Sequence, residues 1–184
     1  MPQNWKEWLP GLDNDNLTLG EVQKTLPGNK KEEIHFVIRL FENPSSPIAF
    51  KGAISLERHD LVHIILGRGL LPQDEAFVIG FTMGTSKTIS SVEAALFQWI
   101  TKHLYPPPYN FKDNHLKSFR LGLEAGKKSE ADKIYDAPLE NYKDMTLGEI
   151  RQKLGIDTES LKAIYAHEKE MLPESKESKR LPCG

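Results

Sequence analysis

Two histidines one helical turn apart, with a carboxylate between them, constrain this chain more than any other stretch. His59, Asp60 and His63 are followed, after eleven residues, by Glu75. On an α-helix, residues four apart stack on one face. Asp60 lies about 100° round from His59 and about 60° from His63, so all three can point into one pocket. Two imidazoles with carboxylates make a competent ligand set for Zn²⁺, Fe²⁺ or Mn²⁺. The ordinary alternative is a pair of satisfied core histidines, and spacing alone leaves the two readings level.

The fourth member requires the chain to turn back. Leu66-Gly67-Arg68-Gly69 is a helix stop, since glycine takes the left-handed cap at no steric cost. Pro72 suits the opening of a second helix, with Asp74 and Glu75 in its first turn, where carboxylates favour the dipole. A helical hairpin would then bring Glu75 back to His63.

The rest of the chain reads as helices separated by clear breaks. Thr18 to Glu21, Ser90 to Glu93 and Thr146 to Glu149 are capping boxes, and Thr146-Leu147-Gly148-Glu149 echoes Thr18-Leu19-Gly20-Glu21. The echo is too short for a repeat architecture and reads as one helix-opening device used twice. Apolar spacing predicts a helix over 30–42, with a strand as the runner-up because alternation also fits part of it, and another helix from Ser46-Pro47 through His63. Further helices are predicted over 73–84, from Ser90 to the Pro106-Pro107-Pro108 break, from Leu116 to Gly126, and over 158–171. On the Ser90 helix, Ala95, Leu96, Trp99, Ile100 and His103 are expected to face inward. Trp5, Trp8 and Leu9 share one face of a short helix, as a packed cap in preference to a membrane anchor. The expectation is one all-α domain, a helical bundle over residues 1–172 built around the metal-binding hairpin. A polar C-terminal tail, 173–184, is expected to be disordered.

Composition narrows the function classes. A chain of 184 residues with net charge −2 suits one domain and gives no basic stripe for nucleic acid. The single cysteine, Cys183, leaves no disulfide within the chain, so a reducing, cytoplasmic setting is the default. The opening residues lack a basic stretch followed by an apolar core, so no signal peptide is expected. The longest apolar run, Ala76 to Met83, is too short to span a bilayer, which leaves peripheral membrane contact at most.

The stretch His59 to Gly67, with Glu75 at its spacing, resembles the signature of the fourth Coq protein family of ubiquinone biosynthesis. Gly126-Lys127-Lys128 and the later Leu147 to Ile156 are similar to that family's basic turn and closing helix. The resemblance covers roughly residues 54 to 156. The first fifty residues and the Gly, Thr and Ser content of 76–90 depart from it. It implies an all-helical fold and a divalent metal, zinc first, with iron, manganese or magnesium as other candidates. It also implies a prenylated aromatic quinone precursor as ligand, oxidative decarboxylation of its ring, and assembly as a homodimer or within a biosynthetic complex.

In that setting His59, Asp60, His63 and Glu75 are the expected metal ligands, and Phe77, Gly80, Phe81, Gly84, Leu96 and Trp99 are expected to shelter the prenyl tail. Gly80 and Gly84 carry a separate argument. Each costs roughly 1 kcal/mol in a helix interior, which a sequence tolerates where something approaches the backbone closely. Two rival readings stand beside this one. One is a non-catalytic lipid-binding or complex-organising scaffold with a structural metal. The other is a metal-dependent phosphohydrolase of the His-Asp type, which needs ligands beyond this stretch; His35, His103, Asp113 and His115 are available.

Overall fold

The two Thr-Leu-Gly-Glu stretches meet in space. The computed structural model describes residues 4–27, 56–103 and 110–182. Thr18 Oγ1 accepts from the Glu21 amide at 3.2 Å, while Glu21 returns a carboxylate oxygen to the Thr18 amide at 2.8 Å. Thr146 and Glu149 repeat this at 3.3 and 2.8 Å. Leu19 N donates to Met145 O and Leu147 N to Leu17 O, at 3.0 and 2.8 Å. Gly20 N and Gly148 N then donate to Lys143 O and Asp15 O, at 2.8 and 3.0 Å. The echo is thus a local two-fold junction between the N-terminal segment and the start of the helix at Leu147–Lys153. Both glycines sit in tight contact: a Cβ at Gly20 would stand 3.0 Å from Lys143 O, and one at Gly148 3.2 Å from Asp15 Cβ.

Among the described residues there are eight α-helices and no strand. They are α1 (Leu19–Gln23), α2 (Leu56–Leu66), α3 (Pro72–Gly84), α4 (Ser91–His103), α5 (Asp113–Lys128), α6 (Leu147–Lys153), α7 (Thr158–Met171) and α8 (Lys176–Arg180). Short 3₁₀ turns at Ile134–Asp136 and Leu139–Tyr142 link α5 to α6. The expected helix over 30–42, the Ser46-Pro47 helix opening and Cys183 lie outside the described residues. No helix is long and apolar enough to cross a membrane among the described residues.

The central contact is α3 against α5, backbone to backbone. A Cβ at Gly80 would overlap the Phe119 carbonyl oxygen, and one at Gly84 the Leu123 carbonyl oxygen. From the other side, a Cβ at Gly122 would overlap the carbonyl oxygen of Phe77, and one at Gly126 that of Phe81. Four glycines, two per helix and four residues apart, let the axes approach as side chains would not. The close approach expected at Gly80 and Gly84 is therefore real, and the approaching group is α5 instead of a lipid.

Helix α4 is rotated from the expected face. Ala94, Phe97, Ile100 and Thr101 are buried, whereas Leu96 and Trp99 are 47% and 54% exposed. Phe97 stacks on Phe119 with centroids 4.8 Å apart, and this pairing fixes the rotation. At the N-terminus, Trp8 is buried and donates its indole N–H to Thr25 Oγ1 at 3.0 Å, as the packed-cap reading requires.

Within the stretch expected to be a disordered tail, Lys176–Arg180 form helix α8. Helix α8 docks on the body with Ser178 and Leu181 buried. Its polar side chains meet buried polar partners, so low apolar content does not prevent docking.

Gly122→Ala should lower stability by about 3 kcal/mol or more, because the overlapping atom is rigid backbone. Thr146→Ala should cost only about 1 kcal/mol, the value of one N-cap. Denaturant midpoints of the two variants would rank them, and a Gly122→Ala protein as stable as wild type would refute the helix contact.

Candidate metal centre

Helix α2 ends in a paired cap that aims the histidines. Gly67 adopts φ +67°, Gly67 N donates to Ile64 O at 3.1 Å, and Arg68 N donates to His63 O at 2.9 Å. The remaining terminal carbonyls find side chains: Ile65 O accepts from Arg151 Nε at 2.9 Å and Leu66 O from the Tyr165 hydroxyl at 2.5 Å. Pro72 then opens α3 and places Glu75 in its first turn.

The hairpin brings three of the four expected ligands together. His59, His63 and Glu75 each offer one ligand atom within 4.8 Å of the others, so the cluster can hold a metal ion. His59 Nε2 lies 2.8 Å from Glu75 Oε2 and 3.0 Å from His63 Nε2, and His63 Nε2 lies 3.3 Å from Glu75 Oε2. A tetrahedral zinc with bonds of about 2.0–2.1 Å separates its ligand atoms by roughly 3.3 Å. The three-sided set fits that spacing after shifts of a few tenths of an ångström, and it equally suits the two-histidine, one-carboxylate face used by non-haem iron.

The hydrogen-bond chemistry favours an ion at this point. His63 Nδ1 sits 2.7 Å from Gly69 O. A carbonyl only accepts, so Nδ1 carries the hydrogen and, in the neutral ring, Nε2 presents a lone pair. One N–H on His59 cannot then be directed at both the Glu75 oxygen and the His63 nitrogen. A cation shared by all three satisfies them together.

Electrostatics follow the same geometry. Burial pushes the Glu75 carboxyl up, but the His63 and His59 imidazoles outweigh burial and hold it well below the usual carboxylate range. Burial pushes His63 down, and the adjacent Glu75 carboxylate more than offsets this, so its imidazole titrates above the ordinary value. The centre is not sealed, since the Glu75 side chain is 18% exposed.

Asp60 is not part of the convergent trio. The ligand atoms that lie within 4.8 Å of one another come from His59, His63 and Glu75. It remains close enough to feel both imidazoles; burial pushes its carboxyl up against their pull.

The residues expected to shelter a lipid tail do not assemble around the centre. Phe77 packs on Tyr165, Gly80 and Gly84 pack on α5, and Leu96 and Trp99 face outward. Phe81 alone of the six lines a cleft between α5 and α7, of about 610 Å³. His103 lies against Trp99, and His115 turns its Nδ1 back to the Lys112 amide, so neither joins the centre; His35 lies outside the described residues.

Sequence reasoning missed the buried polar cluster beside the centre. Arg68 pairs with Glu168 at 2.9 Å and lies 3.1 Å from Asp74, all three fully buried. Two signals pointed there. Arg68 interrupts the otherwise apolar run from Ile64 to Leu71, and Glu168 follows Leu161 and Tyr165 on the buried face of α7. No family model, curated protein or solved structure matches this chain.

Protons compete with the metal for His63, and the raised titration of that ring makes the competition begin at higher pH than for a free imidazole. Zinc affinity should therefore fall steadily as pH is lowered from 8 to 5, with Glu75 still ionised throughout. Competition with a chromophoric chelator across that range would measure it; a pH-independent affinity would contradict the assigned ligands.

Proposed function

We propose that this chain is a divalent-metal protein of the quinone-biosynthesis type, which acts on or carries a prenylated aromatic precursor. The observation that carries the reading is the convergence of His59 Nε2, His63 Nε2 and Glu75 on one point beside a partly open face. Zinc is the first choice of ion, and iron the second if ring oxidation takes place. A bound ion with three protein ligands supplies a Lewis-acid position for the hydroxyl or carboxylate of an aromatic head group. Asp60 holds a proton more readily than an ordinary aspartate and stands beside the trio, so it is suited to hydrogen-bond that head group.

Two apolar surfaces, neither lined by His59, His63 or Glu75, are the features that speak for the apolar half of such a ligand. The cleft against α7 is floored by Phe81, Ala125, Ile156, Leu161 and Ile164, with Lys128 at its edge. Val92, Leu96 and Trp99 form an exposed apolar ridge on α4 at helical spacing, 73%, 47% and 54% exposed. Such a ridge suits a lipid boundary or a protein partner. Carriage without chemistry is the same reading with the ion in a structural role.

Isothermal titration of the zinc-loaded protein with a long-chain prenyl hydroxybenzoate, and with hydroxybenzoate alone, tests this reading. The tailed ligand should bind at least ten-fold tighter. Ile164→Gln should remove most of that difference without changing metal content. Equal affinity for the two ligands, or none for either, would reject the lipid reading and leave a metal-binding scaffold.

A further inference from the structure

The hydrogen bond that orients His63 is held from the far end of the chain. Its acceptor, Gly69 O, belongs to a residue with no side chain, packed between the buried Arg68 and Leu70 and closely approached by groups from both ends of the chain. A Cβ at Gly69 would stand 2.8 Å from Trp8 O and 2.9 Å from both Arg180 Nη2 and Asp74 Oδ2. These three groups form one clamp. Arg180 Nη2 donates to Asp74 Oδ2 at 2.7 Å, Arg180 Nη1 donates to Lys6 O at 3.2 Å and lies 3.5 Å from Trp8 O, and Leu71 N donates to Asp74 Oδ2 at 3.3 Å.

The segment carrying Arg180 is itself fixed. Ser175 Oγ caps α8 by accepting from Ser178 N at 3.0 Å. Ser178 Oγ accepts from Gln73 Nε2 at 2.8 Å, and Gln73 Nε2 also donates to Glu168 at 2.6 Å. Glu168 in turn receives Arg68 and the Ser118 hydroxyl. Gln73 and Asp74 immediately precede Glu75 on the first turn of α3. The same turn thus bears a metal ligand on one side and the anchor of the C-terminal segment on the other.

We infer that the C-terminal segment Ser175–Leu181 is a working part of the metal centre: Arg180, through Asp74 and the Gly69 peptide, is a positioning residue that keeps His63 Nε2 directed at the ion. The inference rests on the metal reading above. Partners that orient a ligating imidazole typically contribute ten- to hundred-fold in metal affinity. The planar guanidinium suits this place because it reaches Asp74 and the Lys6 carbonyl at once, which a lysine ammonium does with poorer geometry.

The experiment uses the full chain and compares wild type, Arg180→Met, Arg180→Lys and His63→Ala, with Ile134→Val, a buried core residue outside the cleft, as a control for lost stability alone. Zinc affinity is read by chelator competition, the ligand field by the visible absorption of the cobalt-loaded protein, and folding by circular dichroism. Arg180→Met should bind zinc about ten-fold or more weakly and shift the cobalt spectrum, Arg180→Lys should fall between it and wild type, and Ile134→Val should match wild type. If Arg180→Met fails to fold, Arg180→Lys carries the comparison. Wild-type affinity and an unchanged cobalt spectrum in the folded Arg180 variants, with metal lost only in His63→Ala, would overturn the inference and leave the metal centre standing. Absence of zinc binding in wild type, with His63→Ala indistinguishable from it, would overturn both.

Discussion

Helices α3 and α5 touch through their backbones, and the site depends on that contact. Gly80 and Gly84 meet Gly122 and Gly126 with no room for a methyl group on either side. The contact fixes the axis of α3, and with it the direction in which Glu75 leaves the first turn. On one side, Phe77 and Phe81 then enter the main core; on the other, Ala76, Ile79 and Met83 join Phe97, Phe111 and Phe119. Close approach of this kind gains dispersion over a long seam and tolerates almost no change in volume.

Charge is buried around this frame where it can be paired. Arg68 lies between the rings of Phe77 and Tyr165, with its charge centre 4.6 and 5.0 Å from their centroids, while its nitrogens face Glu168 and Asp74. Removing one partner from such a set leaves an uncompensated buried charge, which is far more costly than the pair is stabilising. Arg151 plays a related part, joining the Ile65 carbonyl to Leu12 O and Asp15 across the junction of the N-terminal segment with α6. The hairpin of α2 and α3 is therefore gripped at its turn from the N-terminal segment, from α6, from α7 and from α8.

Local features were legible in the sequence and distant ones were not. His59 and His63 are neighbours by helix geometry alone, and two glycines and a proline announce the turn that returns Glu75. Asp60, between the two histidines, lies outside the convergent set of His59, His63 and Glu75, because a residue adjacent to His59 does not share its stacking direction as His63 does. Gly80 and Gly84 correctly signalled close approach, but nothing local says whether a lipid or a helix approaches; Gly122 and Gly126, at the same spacing, were the missing half. On α4 the sets Ala94/Phe97/Thr101 and Val92/Leu96/Trp99 both have helical spacing, and the stack of Phe97 on Phe119 decides between them. The tail looked disordered because composition counts apolar residues, whereas α8 is held by Gln73 and Asp74, more than a hundred residues earlier in the chain.

The central claim is that His59, His63 and Glu75 share one metal ion. X-ray absorption at the zinc edge of the zinc-loaded protein tests it most directly, because imidazole rings give outer-shell scattering that water and carboxylate do not. The account requires one zinc per chain, with two imidazole nitrogens at about 2.0–2.1 Å and oxygen completing the shell. A shell of oxygen alone, a single imidazole, or failure to retain zinc would contradict it.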